Sequence, residues 1–308
     1  MIHVENLTKL YHIPSGIIRA VDGITFSIPS GSILGLLGPN GAGKTTTIKI
    51  ICTLLEPTSG TVSVGGFDVT KKPLDVRKQL GVVFGQRMIY HRLSGRANLE
   101  YYGKLYGVNN LDRRIDELAE FFEIKGRVDD LVETYSTGMR AKLSLMRAMI
   151  HDPQVLLLDE PTLGLDPGIA IKLRRKIIEL KKANRTILLS THYLHEAEDL
   201  CDDIAILYKG KIIAHDNPKR LQQKHSKNKQ LVIYYGVNPA IDAYLGKNKV
   251  RIIKDASGTY AVISISHMDE VALWQKIFAG YKSNIHNFSI SEPTLEDLYI
   301  AATKGKSA

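Results

Sequence analysis

The residues best suited to chemistry are Gly38-Pro39-Asn40-Gly41-Ala42-Gly43-Lys44-Thr45-Thr46, which fit the phosphate-binding pattern G-x-x-x-x-G-K-[ST]. A glycine-rich turn aims consecutive backbone N–H groups at one anion, and a helix after it adds the partial positive charge of its N-terminus. Lys44 has the reach for β- and γ-phosphates, and the Thr45 hydroxyl suits Mg²⁺. A second group is Val155-Leu156-Leu157-Leu158-Asp159-Glu160, two carboxylates behind an apolar run. Asp159 can hold Mg²⁺, directly or through water. Glu160 can accept a proton from an attacking water, a role worth about 10²–10⁴ in rate. The plainer reading is two acidic residues capping the next element, helped by Pro161. His192 can hydrogen-bond a γ-phosphate and orient water. The amide oxygen of Gln86 can complete a Mg²⁺ shell while its NH₂ holds the water. Alone, a His after a strand is more often structural, and Gln86 is similarly ambiguous. Tyr135-Ser136-Thr137-Gly138-Met139 opens a periodic helix with Ser136 as a good N-cap. The same geometry makes a second phosphate site. It lies far along the chain from Lys44, so it suits a nucleotide held by another subunit.

These residues need elements that present them together. Ser32 to Leu37 reads as a short buried strand and Thr45 to Leu55 as a helix, the strand–loop–helix setting that a phosphate loop requires. Ile2 to Leu7, Ile17 to Ile28, Thr61 to Val64, Gly81 to Phe84, Val155 to Leu158, Thr186 to Leu189, Ile204 to Leu207 and Lys211 to Ala214 read as further strands. From about Met88 to Met149 the pattern is helical. Leu99, Tyr102, Leu105 and Tyr106 share one face, Leu118, Phe121 and Phe122 another, and Met139, Leu143, Met146 and Ile150 a third. Strands alternating with helices imply a parallel sheet covered on both faces and interrupted by a helical insertion. In open α/β sheets ligands sit at the carboxyl ends of the strands, where Asp159, Glu160 and His192 fall.

Residues 1–216 are expected to form this domain, 217–229 a basic linker, and 230–308 a small α+β domain. The last reads as strand Gln230 to Tyr235, helix Pro239 to Leu245, strand Val250 to Lys254, strand Tyr260 to Ile265, helix Asp269 to Ala279, strand Ile285 to Ile290 and helix Pro293 to Ala302. The first six follow the βαββαβ order of a ferredoxin-like sandwich.

The chain of 308 residues is 44% hydrophobic and 24% charged, an ordinary globular composition. No uncharged apolar run approaches the roughly 20 residues of a membrane span, and Met1 to Asn6 lacks a signal pattern. A cytoplasmic protein is expected. Cys52 and Cys201 have no metal-ligand spacing and read as buried thiols. The net charge of +9 is concentrated beyond Asn217. It permits contact with an anionic membrane surface, but no nucleic-acid motif is present and no nucleic-acid partner is expected.

Taken in order, these motifs resemble those of the ATP-binding subunits of ABC transporters, over Met1 to about Asp216. Gly38 to Thr46 resembles the Walker A motif, Gln86 the Q-loop glutamine, Tyr135 to Met139 the signature, and Leu156 to Glu160 Walker B with its catalytic glutamate. Leu163-Gly164-Leu165-Asp166 resembles the D-loop, His192 the switch histidine, and Tyr11 the aromatic that stacks on adenine. The plainer alternative for Tyr11 is a core tyrosine. Thr137 and Met139 depart from Leu-Ser-Gly-Gly-Gln, whereas Ser136 and Gly138 are retained. The form Tyr-Ser-x-Gly-Met, the segment Ser94 to Leu99 and the ending Ser291 to Tyr299 resemble export-type subunits whose permease is a separate chain.

The resemblance implies a P-loop NTPase fold of the ABC-ATPase type with a helical subdomain, and binding of ATP and Mg²⁺. It also implies a head-to-tail pair of ATPase subunits, alike or different. Each ATP would lie between Lys44 and Thr45 of one subunit and Ser136 and Gly138 of the other; Asp166, which by itself reads as an N-cap before Pro167, would act across the interface. The partner that moves is a membrane permease, docked near Arg87, Met88, Ile89 and Tyr90, although the apolar Met88-Ile89-Tyr90 reads equally as core; the subunit lies peripherally on the cytoplasmic face of the membrane. The rivals are an importer ATPase, a soluble ABC protein acting on ribosomes or DNA, and a module that binds ATP without hydrolysing it.

Overall fold

The computed structural model describes residues 1–85, 88–225, 230–236, 238–247, 251–255, 258–264, 275–280 and 284–291. They divide into two compact units, Met1–Pro218 and Lys219–Ala308.

The first unit contains two sheets. β1 (Ile2–Ile13), β2 (Gly16–Ile28), β4 (Ser59–Val64) and β5 (Phe67–Asp68) form an antiparallel sheet in the order β2-β1-β4-β5. The second sheet has the order β10-β9-β3-β8-β7-β6. It uses β3 (Ile33–Leu37), β6 (Leu80–Phe84), β7 (Val155–Asp159), β8 (Thr186–Thr191) and β9 (Asp203–Tyr208), all parallel, with β10 (Lys211–Asp216) antiparallel at the edge. The alternation of strands and helices predicts the parallel sheet alone. The first strands depart from it because no helix separates β1 from β2, so the chain returns as a hairpin.

α1 (Lys44–Ile51) buries Ile48, Ile50 and Ile51 in the core shared by both sheets, where Val4, Phe26, Leu34, Leu36 and Val62 also pack. Every residue of β3 and β8 is buried, as expected of strands covered on both faces. α2 (Pro73–Gln79) precedes β6. The insertion supplies α3 (Gly95–Leu105), α4 (Leu111–Phe121) and α5 (Thr137–Met149); α6 (Pro167–Lys182) and α7 (Leu194–Leu200) follow β7 and β8. The face expected on α3 is only half buried: Leu99 is enclosed, whereas Leu105 and Tyr106 are exposed. Met88 and Tyr90 are also exposed while Ile89 between them is buried. Both cysteines are free and buried, and burial pushes the Cys52 thiol up to about 11.

The basic stretch expected as linker begins as a helix, α8 (Pro218–His225). In the second unit β11 (Gln230–Tyr235), α9 (Pro239–Lys247), β12 (Arg251–Asp255), β13 (Gly258–Ser264), a helical segment at 275–280 and β14 (Ile285–Ser291) follow one another. Their antiparallel sheet has the order β12-β13-β11-β14, that of a split βαβ sandwich. The expected helix Pro293 to Ala302 lies outside the described residues.

Candidate functional site

The glycine loop joins β3 to α1 at the carboxyl edge of the parallel sheet. Gly43 caps α1 with φ 109° and no side-chain bond, so the first amides of the helix are left for an anion. A Cβ at Gly43 would lie 2.4 Å from the Ala20 carbonyl, so the turn closes here only with glycine. The Lys44 ammonium is buried inside the loop, donates to the Gly38 carbonyl at 2.6 Å and stands 3.5 Å from Glu160 Oε1.

The carboxylates arrive from the neighbouring strands. β7 pairs with β8 so that Asp159 lies beside Ser190. The Ser190 hydroxyl donates to Asp159 Oδ1 and Thr45 Oγ1 donates to Asp159 Oδ2 at 3.1 Å. Thr45 and Asp159 thus set hard oxygen donors side by side. That donor set fits Mg²⁺, which commonly takes one or two protein oxygens and completes its shell with phosphate and water. Glu160 has φ 51°, an uncommon conformation for a residue with a side chain. Its N–H is held by the Ser190 carbonyl at 3.1 Å and the Ser190 hydroxyl at 3.2 Å. One carboxylate oxygen of Glu160 faces Lys44 and the other lies 2.8 Å from His192 Nδ1.

Tyr11, the loop residues from Pro39 to Thr46 and Glu160 line one cleft of about 530 Å³, together with Ile18, Arg19, Ala20 and Lys209. Tyr11 is therefore a partly exposed wall of this cleft and not a core tyrosine. A second cavity of about 600 Å³ adjoins the carboxylates and is lined by Thr45, Gly85, Met88, Asp159, Glu160 and Leu163 among others. Gln86 lies outside the described residues.

Ser136, Gly138 and Asp166 do not line either cavity. Ser136 caps α5, accepting from the Met139 N–H at 3.2 Å, and its residue is exposed. Gly138 is buried against α6, where a Cβ would lie 2.7 Å from Ile169 Cγ2. Asp166 occupies the N-cap position of α6 without a side-chain cap bond and is exposed. Ser190, Arg19 and Lys209 join the site without being marked for it by any sequence motif. Ser190 carries only a weak local signal, a hydroxyl at the end of the apolar run Ile187-Leu188-Leu189 beside that of Thr191; the two cations carry none.

Residues 21–163 match the sequence family described as ABC transporter. Over 216 residues the chain is 38% identical to the ABC transporter ATP-binding protein NatA of Bacillus subtilis (strain 168), an alignment covering 69% of this chain and 88% of that protein. It is 33% identical to the daunorubicin/doxorubicin resistance ATP-binding protein DrrA of Streptomyces peucetius, over 98% of this chain and 92% of the relative. A solved structure of an ATP-binding subunit of an ABC transporter superposes with a TM-score of 0.65 at 31% identity, covering 73% of this chain and 92% of the other.

Proposed function

The chain belongs to the ATP-binding proteins of ABC transporters, ATPases that drive a membrane permease, and from that premise we propose how its residues divide the work. Gly38 to Thr46 holds the phosphates of ATP, with Tyr11 against the base. Thr45 and Asp159 would hold Mg²⁺, with Gln86 completing the set of oxygen donors, and the bound ion would supply neutralising charge for the phosphates. Glu160 takes the proton of the attacking water, and His192 orients Glu160 and the γ-phosphate. The observation that carries this reading is the convergence of Lys44 and His192 on the two oxygens of one Glu160 carboxylate. An incoming γ-phosphate attracts both groups and frees Glu160 for water.

Ser136, Gly138 and Asp166 stand outside the Lys44 cleft, which supports a site completed by a second subunit. The exposed Met88, which lines the second cavity, and the exposed Tyr90 support a docking place for the permease. Among the described residues no helix is long and apolar enough to cross a membrane. A drug-resistance relative aligned along almost the whole chain supports export as the direction. The protein then lies on the cytoplasmic face of the membrane, held by its permease.

Complementation tests the shared site. A chain carrying Lys44→Ala and a chain carrying Ser136→Arg are each expected to be inactive, and their mixture to regain ATP turnover through the one intact site of a mixed pair. A mixture as inactive as its components would rule out the shared arrangement.

A further inference from the structure

One buried carboxylate stands beneath the hydrolytic pair and takes no direct part in it. Glu196, in the first turn of α7, is only 2% exposed. Its Oε1 accepts from Thr162 Oγ1 at 2.7 Å and its Oε2 from Thr191 Oγ1 at 2.6 Å. Both threonines are themselves buried. Burying a carboxylate is costly unless its oxygens are bonded, and here each oxygen is engaged by a hydroxyl.

The two threonines belong to different parts of the site. Thr162 lies two residues after Glu160, in the turn where the Leu163 N–H donates to the Glu160 carbonyl at 3.2 Å and the Leu165 N–H to the Thr162 carbonyl at 3.1 Å. Thr191 immediately precedes His192, and its Oγ1 also accepts from the Tyr193 N–H at 3.0 Å, so both neighbours of His192 are fixed through one hydroxyl. Accepting from Tyr193 leaves the Thr191 hydroxyl proton for Glu196, which sets its polarity. Glu196 therefore ties the turn carrying Glu160 to the turn carrying His192, whose side chains meet at 2.8 Å.

We propose that Glu196 is a positioning residue for ATP hydrolysis: by clamping Thr162 and Thr191 it holds the Glu160 carboxylate and the His192 imidazole in register. The inference rests on the reading of Glu160 and His192 as the hydrolytic pair. A misplacement of about 1 Å at a reacting group can cost on the order of a hundredfold in rate, and loss of one half of the clamp displaces by less.

The test is Glu196→Gln in the full chain, assayed for steady-state ATP turnover with its permease and for ATP affinity without turnover. The amide keeps shape and one acceptor but cannot accept from both hydroxyls. The expected result is a kcat lower by about tenfold or more, with KM and ATP affinity within about twofold of the parent. In a His192→Ala background the same substitution is expected to change kcat by less than about twofold, because the geometry it guards is already gone. Thr162→Val, which removes one arm of the clamp with little change in volume, should reproduce the kcat effect if Glu196→Gln fails to fold. An unchanged kcat in both variants overturns the proposal. So does an equal loss with and without His192, which would mean a merely structural role. Full activity of Glu160→Gln would instead refute the underlying assignment, whatever Glu196 does.

Discussion

Ser190→Ala is the most informative substitution near Asp159, the carboxylate proposed to hold Mg²⁺. Ser190 is completely buried, and its hydroxyl donates to Asp159 Oδ1 while accepting from the Glu160 N–H. The Glu160 N–H keeps the Ser190 carbonyl after the substitution, so it is not orphaned. Asp159 is less fortunate. It retains Thr45 at 3.1 Å on one oxygen and loses the donor on the other. A hydrogen bond to a charged group is worth about 1.5–3 kcal/mol, so a stability loss of about 2 kcal/mol is expected. For a unit of this size that corresponds to a melting temperature lower by roughly 4–8 °C. The freed carboxylate no longer points at a fixed place, so affinity for ATP with Mg²⁺ should fall by about tenfold, the equivalent of about 1.4 kcal/mol. Affinity for ATP in excess chelator should not change, because the phosphate loop is untouched. Thermal melts with and without nucleotide, alongside a fluorescent-nucleotide titration, read both effects. A variant that melts with the parent and binds ATP equally well with and without Mg²⁺ would refute the role given to this hydroxyl. Equal weakening under both conditions would also refute it, since the damage would then lie in the loop.

Further expectations follow from single contacts. Tyr11→Ala removes the aromatic wall of the cleft and is expected to weaken ATP by about tenfold, since a stacked base is worth about 1–3 kcal/mol; Tyr11→Phe should bind as the parent does, and equal loss in both variants would exclude stacking. Gly138→Ala forces a Cβ to within 2.7 Å of Ile169 Cγ2 and should cost about 1–3 kcal/mol of stability, recovered by adding Ile169→Ala in the same chain; an unaltered melting temperature in the single variant would discount that packing. Burial lowers the pKa of His151 to about 4, where its Nε2 is 3.0 Å from the Leu80 carbonyl and its ring stacks on Tyr106. Between about pH 4 and 6.5 the unfolded chain binds a proton that the folded chain refuses, so stability rises with pH across that window and falls on acidification. Allowing for partial exposure the effect is roughly 2 kcal/mol, and denaturant titrations of His151→Gln should show a flatter pH dependence there; parallel curves would contradict it.

The parts of this molecule that were legible in the sequence are those where chemistry and local geometry share one short segment. A strand, a glycine turn and a helix give the phosphate loop within twenty residues, and four apolar residues ahead of Asp159-Glu160 place both carboxylates at a strand end. Contacts that depend on strand order were not legible. Nothing local to Ser190 says that β8 lies beside β7 and turns its hydroxyl to Asp159. Glu196 reads as a helix-start carboxylate until Thr162, 34 residues away, is seen to reach it. Gly138 reads as a phosphate contact, and its packing against Ile169 adds a reason within the chain for the absence of a side chain. The antiparallel sheet was missed as a separate layer because its strands are individually clear but their partners are set by the β1–β2 hairpin. Leu105 follows the helical period yet stays exposed, because the period alone does not say how much of a helix face its neighbours cover.

The central claim is that Glu160 activates the water that cleaves ATP. Glu160→Gln keeps the shape of the side chain and removes its basicity. With the permease present, steady-state phosphate release from this variant is expected to fall by about a hundredfold or more, while ATP still binds with at least the affinity of the parent. Turnover within a few-fold of the parent, at unchanged ATP affinity, would contradict the account.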